Sequence, residues 1–85
     1  MNPDKIFAIL RACAILDALN GKEGSYRLGE ISRWSRIPRA TCDRYLKQMK
    51  ALGLLTESKG VYASNPCRNF AITENGHALI QVYQV

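Results

Sequence analysis

Six cations crowd into one short stretch of this chain: Arg33, Arg36, Arg39, Arg44, Lys47 and Lys50, with Asp43 the single acid among them. Guanidinium and ammonium groups at that density have one chemistry to offer, the binding of anions, and arginine adds a planar fork that matches paired acceptors. Elsewhere bases and acids balance at six each, so the whole formal charge of +5 falls within this stretch. A solvated surface helix ordinarily mixes signs, so that acids pair with bases three or four residues away. A local surplus of one sign is what a polyphosphate selects, by attraction and by release of condensed counterions. A basic helix that is merely solvated is the plain alternative.

The residue types that perform covalent or metal chemistry are not arranged to do it. The sequence has no glycine-rich phosphate loop, no paired catalytic carboxylates and no nucleophile beside a base. His77 is the lone histidine, and a lone helical histidine is ordinarily a surface or packing residue. Tyr45 falls at a core position, and thiol chemistry at Cys67 lacks a base. Cys13, Cys42 and Cys67 are odd in number and form no CxxC pair, so neither a disulfide framework nor a zinc site fits. Cys13 and Cys42 read instead as small core residues. No enzymatic activity, metal or cofactor is expected.

The elements that must carry the cations follow from periodicity. Over residues 38–52 the chain reads as a helix, with Pro38 suited to its first turn and Gly53 to the left-handed residue that closes it. Cys42, Tyr45, Leu46, Met49 and Leu52 share one face at helical spacing. Ala40, Arg44, Lys47 and Ala51 lie opposite. Asp43 and Lys50 fall on one flank, Thr41 and Gln48 on the other.

Ahead of it, Asn2 and Pro3 read as a cap and first turn for a helix ending at Asn20-Gly21. Its stripe of Ile6, Phe7, Ile9, Leu10, Cys13, Ala14, Ile15, Leu16 and Leu19 is broad enough to serve a core on one side and a partner subunit on the other. Tyr26 to Leu28 suits a short strand, and a short helix over 29–36 turns Ile31 inward, with Trp34 placed under the wing or in solvent. Two helices joined by so brief a turn, the second basic, spell helix-turn-helix. A strand over 54–58, a turn at Ser58-Lys59-Gly60, an interruption at Ser64-Asn65-Pro66 and a returning strand over 69–72 then make a wing at about 54–72. Thr73 caps a last helix over 74–83.

Eighty-five residues are expected to form one domain, 1–85, with a thin core that dimerisation would support. No segment approaches membrane-spanning length and the start lacks a signal-peptide pattern, so a reducing, cytoplasmic setting is the expectation. The fold class is α+β: a winged helix-turn-helix with a three-helix core, a β-hairpin wing and a C-terminal helix.

At this point the chain resembles the DNA-binding domain of IclR-type transcriptional regulators. Residues 12–19 resemble that family's first helix, 28–33 its second, and 37–46 through Leu52-Gly53-Leu54-Leu55 its recognition helix and entry to the wing. Residues 70–76 are more similar to the strand-to-helix passage of MarR-type regulators. Two positions depart: Arg36 stands where a glycine often makes the turn, and Trp34 where a small residue is usual. No room is left after the wing for an effector domain, so a small-molecule ligand is not expected, and a small regulator of bacterial, plasmid or phage type suits the length.

The resemblance implies double-stranded DNA as partner, with Arg39, Ala40, Thr41, Asp43 and Arg44 facing the major groove. Chemistry agrees: Arg44 can pair with guanine bidentately, Thr41 can meet a base edge or phosphate, and Ala40 permits close approach. Asp43 can accept from a cytosine amino group or orient Arg39 or Lys47. Arg36, Lys47 and Lys50 suit phosphates, which position without reading sequence. Lys59 and Arg68, in the wing, either reach phosphate or the minor groove or are ordinary solvated charges. Neutralising about five phosphates per subunit gives a slope of log affinity on log salt of roughly −4 to −5. A homodimer through the first and last helices would read half-sites about a helical turn apart. The competing reading is a winged helix used as a protein-protein interaction module in a larger assembly.

Overall fold

The structure, a computed structural model, describes residues 3–83, and side chains over 10–82. Helix α1 (Pro3–Leu19), strand β1 (Tyr26–Arg27), helix α2 (Leu28–Ser35) and helix α3 (Arg39–Ala51) are followed by strands β2 (Leu55–Tyr62) and β3 (Asn65–Ile72) and by helix α4 (Glu74–Tyr83). The sheet is antiparallel in the order β1-β3-β2. This is the α+β winged helix-turn-helix expected from the periodicity.

One hydrophobic core joins every helix to the base of the wing. Ile15, Leu16 and Leu19 of α1 meet Ile31 of α2, Cys42, Tyr45, Leu46 and Met49 of α3, Leu55 and Phe70 of the sheet and Ile80 of α4. Burying each large apolar side chain contributes about 1.5–3 kcal/mol before the entropy of ordering it. Leu52 does not join its expected face and is 72% exposed. The reason is local: α3 ends at Ala51, and Gly53 takes a left-handed φ of 78°. The Leu54 N–H then closes on the Met49 carbonyl at 2.9 Å, and Leu54, not Leu52, packs against the core. Cys13 is half-buried rather than a core residue. The expected cap at Asn2 and the side chains of Ile6, Phe7 and Ile9 lie outside the description.

The turn between α2 and α3 is made by Arg36, whose φ of 60° and ψ of 29° are left-handed. Its N–H and that of Ile37 both donate to the Ser32 carbonyl, and Ser32 Oγ donates to the Ile37 carbonyl at 2.5 Å. The turn usually made by glycine is thus kept with an arginine at a conformational cost of about 1–2 kcal/mol. Arg36→Gly is therefore expected to raise stability by about 1 kcal/mol, read as a higher melting temperature.

The wing corrects the sequence reading at one place. No turn forms at Ser58-Lys59-Gly60; β2 runs through it, and the reversal falls at Ala63 and Ser64, both with left-handed φ. Gly60 lies mid-strand opposite Cys67, with the Asn69 amide packed over the space a side chain there would enter. Pro66 does not interrupt pairing but stands opposite Val61. β1 covers β3 only at Phe70 and Asn69, so Pro66 sits where one edge is open and a missing N–H is tolerated. Trp34 does not pack under the wing: it is partly exposed, edge-on to Tyr26 at 5.1 Å, with Lys22 Nζ 4.8 Å above its ring.

At the far end, Thr73 caps α4 as expected. Its hydroxyl accepts from the Gly76 N–H at 3.1 Å and donates to the Gly53 carbonyl at 2.6 Å, tying α4 to the end of α3.

Candidate nucleic-acid interface

α3 is held by its buried face, and that fixes what the other face presents. Pro38, the residue before the helix, leaves its carbonyl to accept from the Cys42 N–H at 2.8 Å. With Cys42, Tyr45, Leu46 and Met49 anchored, Arg39, Ala40, Arg44, Lys47 and Ala51 emerge exposed, and Thr41 half-buried on the flank. The result is a cationic rod surface interrupted by small side chains. Arg44 leans over the Tyr45 ring, its guanidinium carbon 5.5 Å from the centroid, and Arg11 of α1 approaches that ring at 5.8 Å. Contact with an aromatic face orients a guanidinium while leaving its N–H groups free to donate.

Arg39 is placed differently from Arg44. Its guanidinium lies back over the first turn of α2, in van der Waals range of the side-chain position of Gly29. Arg36 is exposed in the turn, and Lys59 is exposed in the middle of β2.

Three other expected cations have partners within the chain. Arg68 crosses from the wing to α3: Nη1 meets Asp43 Oδ1 at 2.6 Å, while Nε and Nη2 grip both oxygens of Glu57 at 3.1 Å. Lys47 Nζ stands 3.3 Å from Asp43 Oδ2, and Lys50 Nζ 3.6 Å from Glu57 Oε1. Arg68 is therefore turned onto α3 rather than outward, and Asp43 binds Arg68 and Lys47 rather than Arg39. Glu57, unassigned by sequence, joins Asp43 in fastening the wing to the helix. The Arg68 hydrogen bonds hold the carboxyls of Asp43 and Glu57 below their usual range, and the two carboxylates raise Arg68 in return. Surface pairs contribute little singly, but these are half-buried, and a bidentate arginine bridging two carboxylates is the favourable geometry.

The depressed carboxyl values set the direction of a pH effect. A group whose folded-state pKa is lowered adds stability above its unfolded pKa and loses it as pH falls through the folded value. Arg68→Ala is expected to lower the melting temperature at pH 7, and the difference from wild type should shrink as pH falls below about 4. Melting curves of both proteins across pH 7 to 2 check this; a constant difference would place the contribution of Arg68 in packing alone.

Two residues near this surface were not among the expected site residues. Arg33 counted toward the charge cluster but had no assigned role. Arg27 lies over the ring of Tyr62 near the wing tip, its guanidinium carbon 3.6 Å from the centroid. No local pattern could have joined positions so far apart in the chain. Among the described residues no group of histidine, cysteine and carboxylate side chains could hold a metal ion. Burial pushes the Cys42 thiol up, away from reactivity. Among the described residues no helix is long and apolar enough to cross a membrane.

Comparison with known proteins agrees with this fold. Among solved structures, the chain superposes on BpsR of Bordetella bronchiseptica, studied for regulation of its DNA binding by 6-hydroxynicotinic acid, with a TM-score of 0.73 and 24% identity over 85% of this chain and 53% of that one. The chain thus spans about half the length of BpsR. A PadR family transcription regulator from Clostridium difficile R20291 matches with a TM-score of 0.73 and 16% identity, over 85% of this chain and 80% of that chain. TA0346 from Thermoplasma acidophilum matches with a TM-score of 0.75 and 19% identity, over 98% and 83%. At these identities the likeness is one of fold. No curated protein matches significantly. The model of the IclR helix-turn-helix domain matches residues 8–59, from within α1 to the middle of β2. With the winged architecture and the cationic outer face of α3 already in place, that match makes the chain a member of the IclR helix-turn-helix domain family, DNA-binding domains of transcription regulators.

Proposed function

We propose that the chain is a single domain that binds double-stranded DNA sequence-specifically as a small transcriptional regulator, laying α3 in the major groove with the wing beside it. The observation that carries the reading is the division of α3 into a buried apolar face and an exposed face of Ala40, Arg44, Lys47 and Ala51. A helix anchored on one side and cationic on the other fits the major groove, whose width admits it and whose base edges arginine reads. In this reading Arg44 and Thr41 meet base edges, Ala40 permits close approach, and Arg36 and Lys59 neutralise phosphates. Lys47 and Lys50 reach phosphate while keeping their carboxylate partners, and Arg68 with Asp43 positions the wing.

Dimerisation belongs to the same proposal. α1 and α4 pack on one another, and Leu10 and Val82 are 58% and 71% exposed on them. An apolar surface there suits a second copy, which would set two α3 helices about one helical turn apart. Selection of bound sites from a random duplex pool tests both parts. A palindromic consensus is expected. Failure to retain any duplex at low salt would overturn the reading in favour of a protein-protein module, and a single unpaired half-site would overturn the dimer.

A further inference from the structure

Between the first turn of α2, the start of α3 and the wing lies a cleft of about 400 Å³, lined in part by Arg27, Gly29, Arg33, Arg39, Tyr62 and Arg68. Four arginines from β1, α2, α3 and β3 converge on it, and Glu30 is its one acid. The charges do not cancel. Glu30 Oε1 is engaged by Arg27 Nη1 at 3.0 Å and by the Arg27 N–H at 3.2 Å, as part of the capping of α2. Arg68 is held by Asp43 and Glu57. Arg33 and Arg39 have no carboxylate within ion-pair distance among the described residues, and both are exposed. Like charges gathered at one cleft repel in the free protein, and an anion seated between them reverses the sign of that term.

The construction of the cleft points the same way. Tyr62, near the wing tip, stacks under Arg27 and so holds one wall in place. Gly29 contributes no side chain, and the Arg39 guanidinium lies over it against the first turn of α2, where the helix dipole favours negative charge. The cleft opens beside the start of α3 and against the wing, on the side where a nucleic-acid strand runs if α3 occupies one groove and the wing lies beside it. We propose that this cleft seats a phosphodiester of that strand, with Arg33 and Arg39 as its ligands and Arg27, seated over the Tyr62 ring, as its wall. The proposal rests on the reading of α3 as the groove helix and adds to it a phosphate site at the start of that helix, shared with β1, α2 and the wing.

The test is Arg33→Ala in the full chain, a change at an exposed side chain that leaves the core intact. Binding to a selected duplex and to an unrelated one is expected to weaken equally, by about three- to tenfold at moderate salt. The slope of log affinity on log salt should become shallower by about 0.9. In a duplex scanned with single uncharged methylphosphonates, one position should weaken wild type but not the variant. An unchanged slope, or a loss confined to the selected duplex, overturns the proposal. So does the outcome in which sodium phosphate, against chloride at equal ionic strength, raises the melting temperature of wild type but not of Arg33→Ala while duplex binding is equal; the cleft would then take a free anion. Arg44→Ala in the same titrations separates the two readings. If it weakens duplex binding and Arg33→Ala does not, only the cleft assignment falls; if neither matters, the groove reading falls with it.

Discussion

Arg44→Ala is expected to weaken binding to the selected duplex by about ten- to a hundredfold, the 1–3 kcal/mol of a bidentate base contact, and to relax preference at one base position. Arg44 is exposed on the outer face of α3, steadied over the ring of the buried Tyr45, so its guanidinium is pre-set while its donors stay available. Lysine should not substitute, since it is a point charge without the fork. Lys47→Ala provides the contrast: one turn further along, already sharing Asp43 with Arg68, it should weaken every duplex alike and only by a few-fold. Titrations of both variants against selected and random duplexes decide the matter. Parallel losses on both DNAs for both variants would remove Arg44 from base reading and leave it a phosphate contact.

Gly76→Ala should destabilise the protein by about 2 kcal/mol, although helix propensity alone favours alanine by about 1 kcal/mol. Gly76 lies in the first turn of α4, and a Cβ there would stand 2.5 Å from the Leu54 carbonyl oxygen and 2.6 Å from Ile72 Cγ1. The carbonyl cannot move aside cheaply, because it accepts from the Thr73 N–H at 3.1 Å. α4 must therefore lift from the end of α3 and the sheet, loosening the Thr73 tie and the packing of Ile80. At this chain size the expected drop in melting temperature is about 8–16 °C. A rise instead would mean that the contact is soft and propensity governs. If α4 also carries the dimer surface, half-site cooperativity on a palindromic duplex should fall with the melting temperature.

The candidate site was legible where its cause is local. Apolar spacing along α3 placed Cys42, Tyr45, Leu46 and Met49 inward and so put Arg44 and Lys47 outward. A helix held by one face has no freedom over what the other presents. Leu52 escaped that logic because the chain reverses at Gly53 one residue later, where backbone closure outranks periodicity. The wing turn was misplaced because Lys59-Gly60 has turn composition, whereas the chain pairs Gly60 with Cys67 across the hairpin, under the Asn69 amide.

Charge shows the division most plainly. The number of cations and their concentration over residues 33–50 are properties of the sequence, as are the helices that carry them and the apolar face that anchors α3. Which cations remain available was decided only by folding. Arg68 and its carboxylate partners Asp43 and Glu57 come from three separate elements, and Arg27 meets Tyr62 across 35 positions of chain. Periodicity is set by neighbours three or four residues away and can be read in order along the chain. An ion pair between distant elements depends on how the chain doubles back, and no run of adjacent residues encodes it.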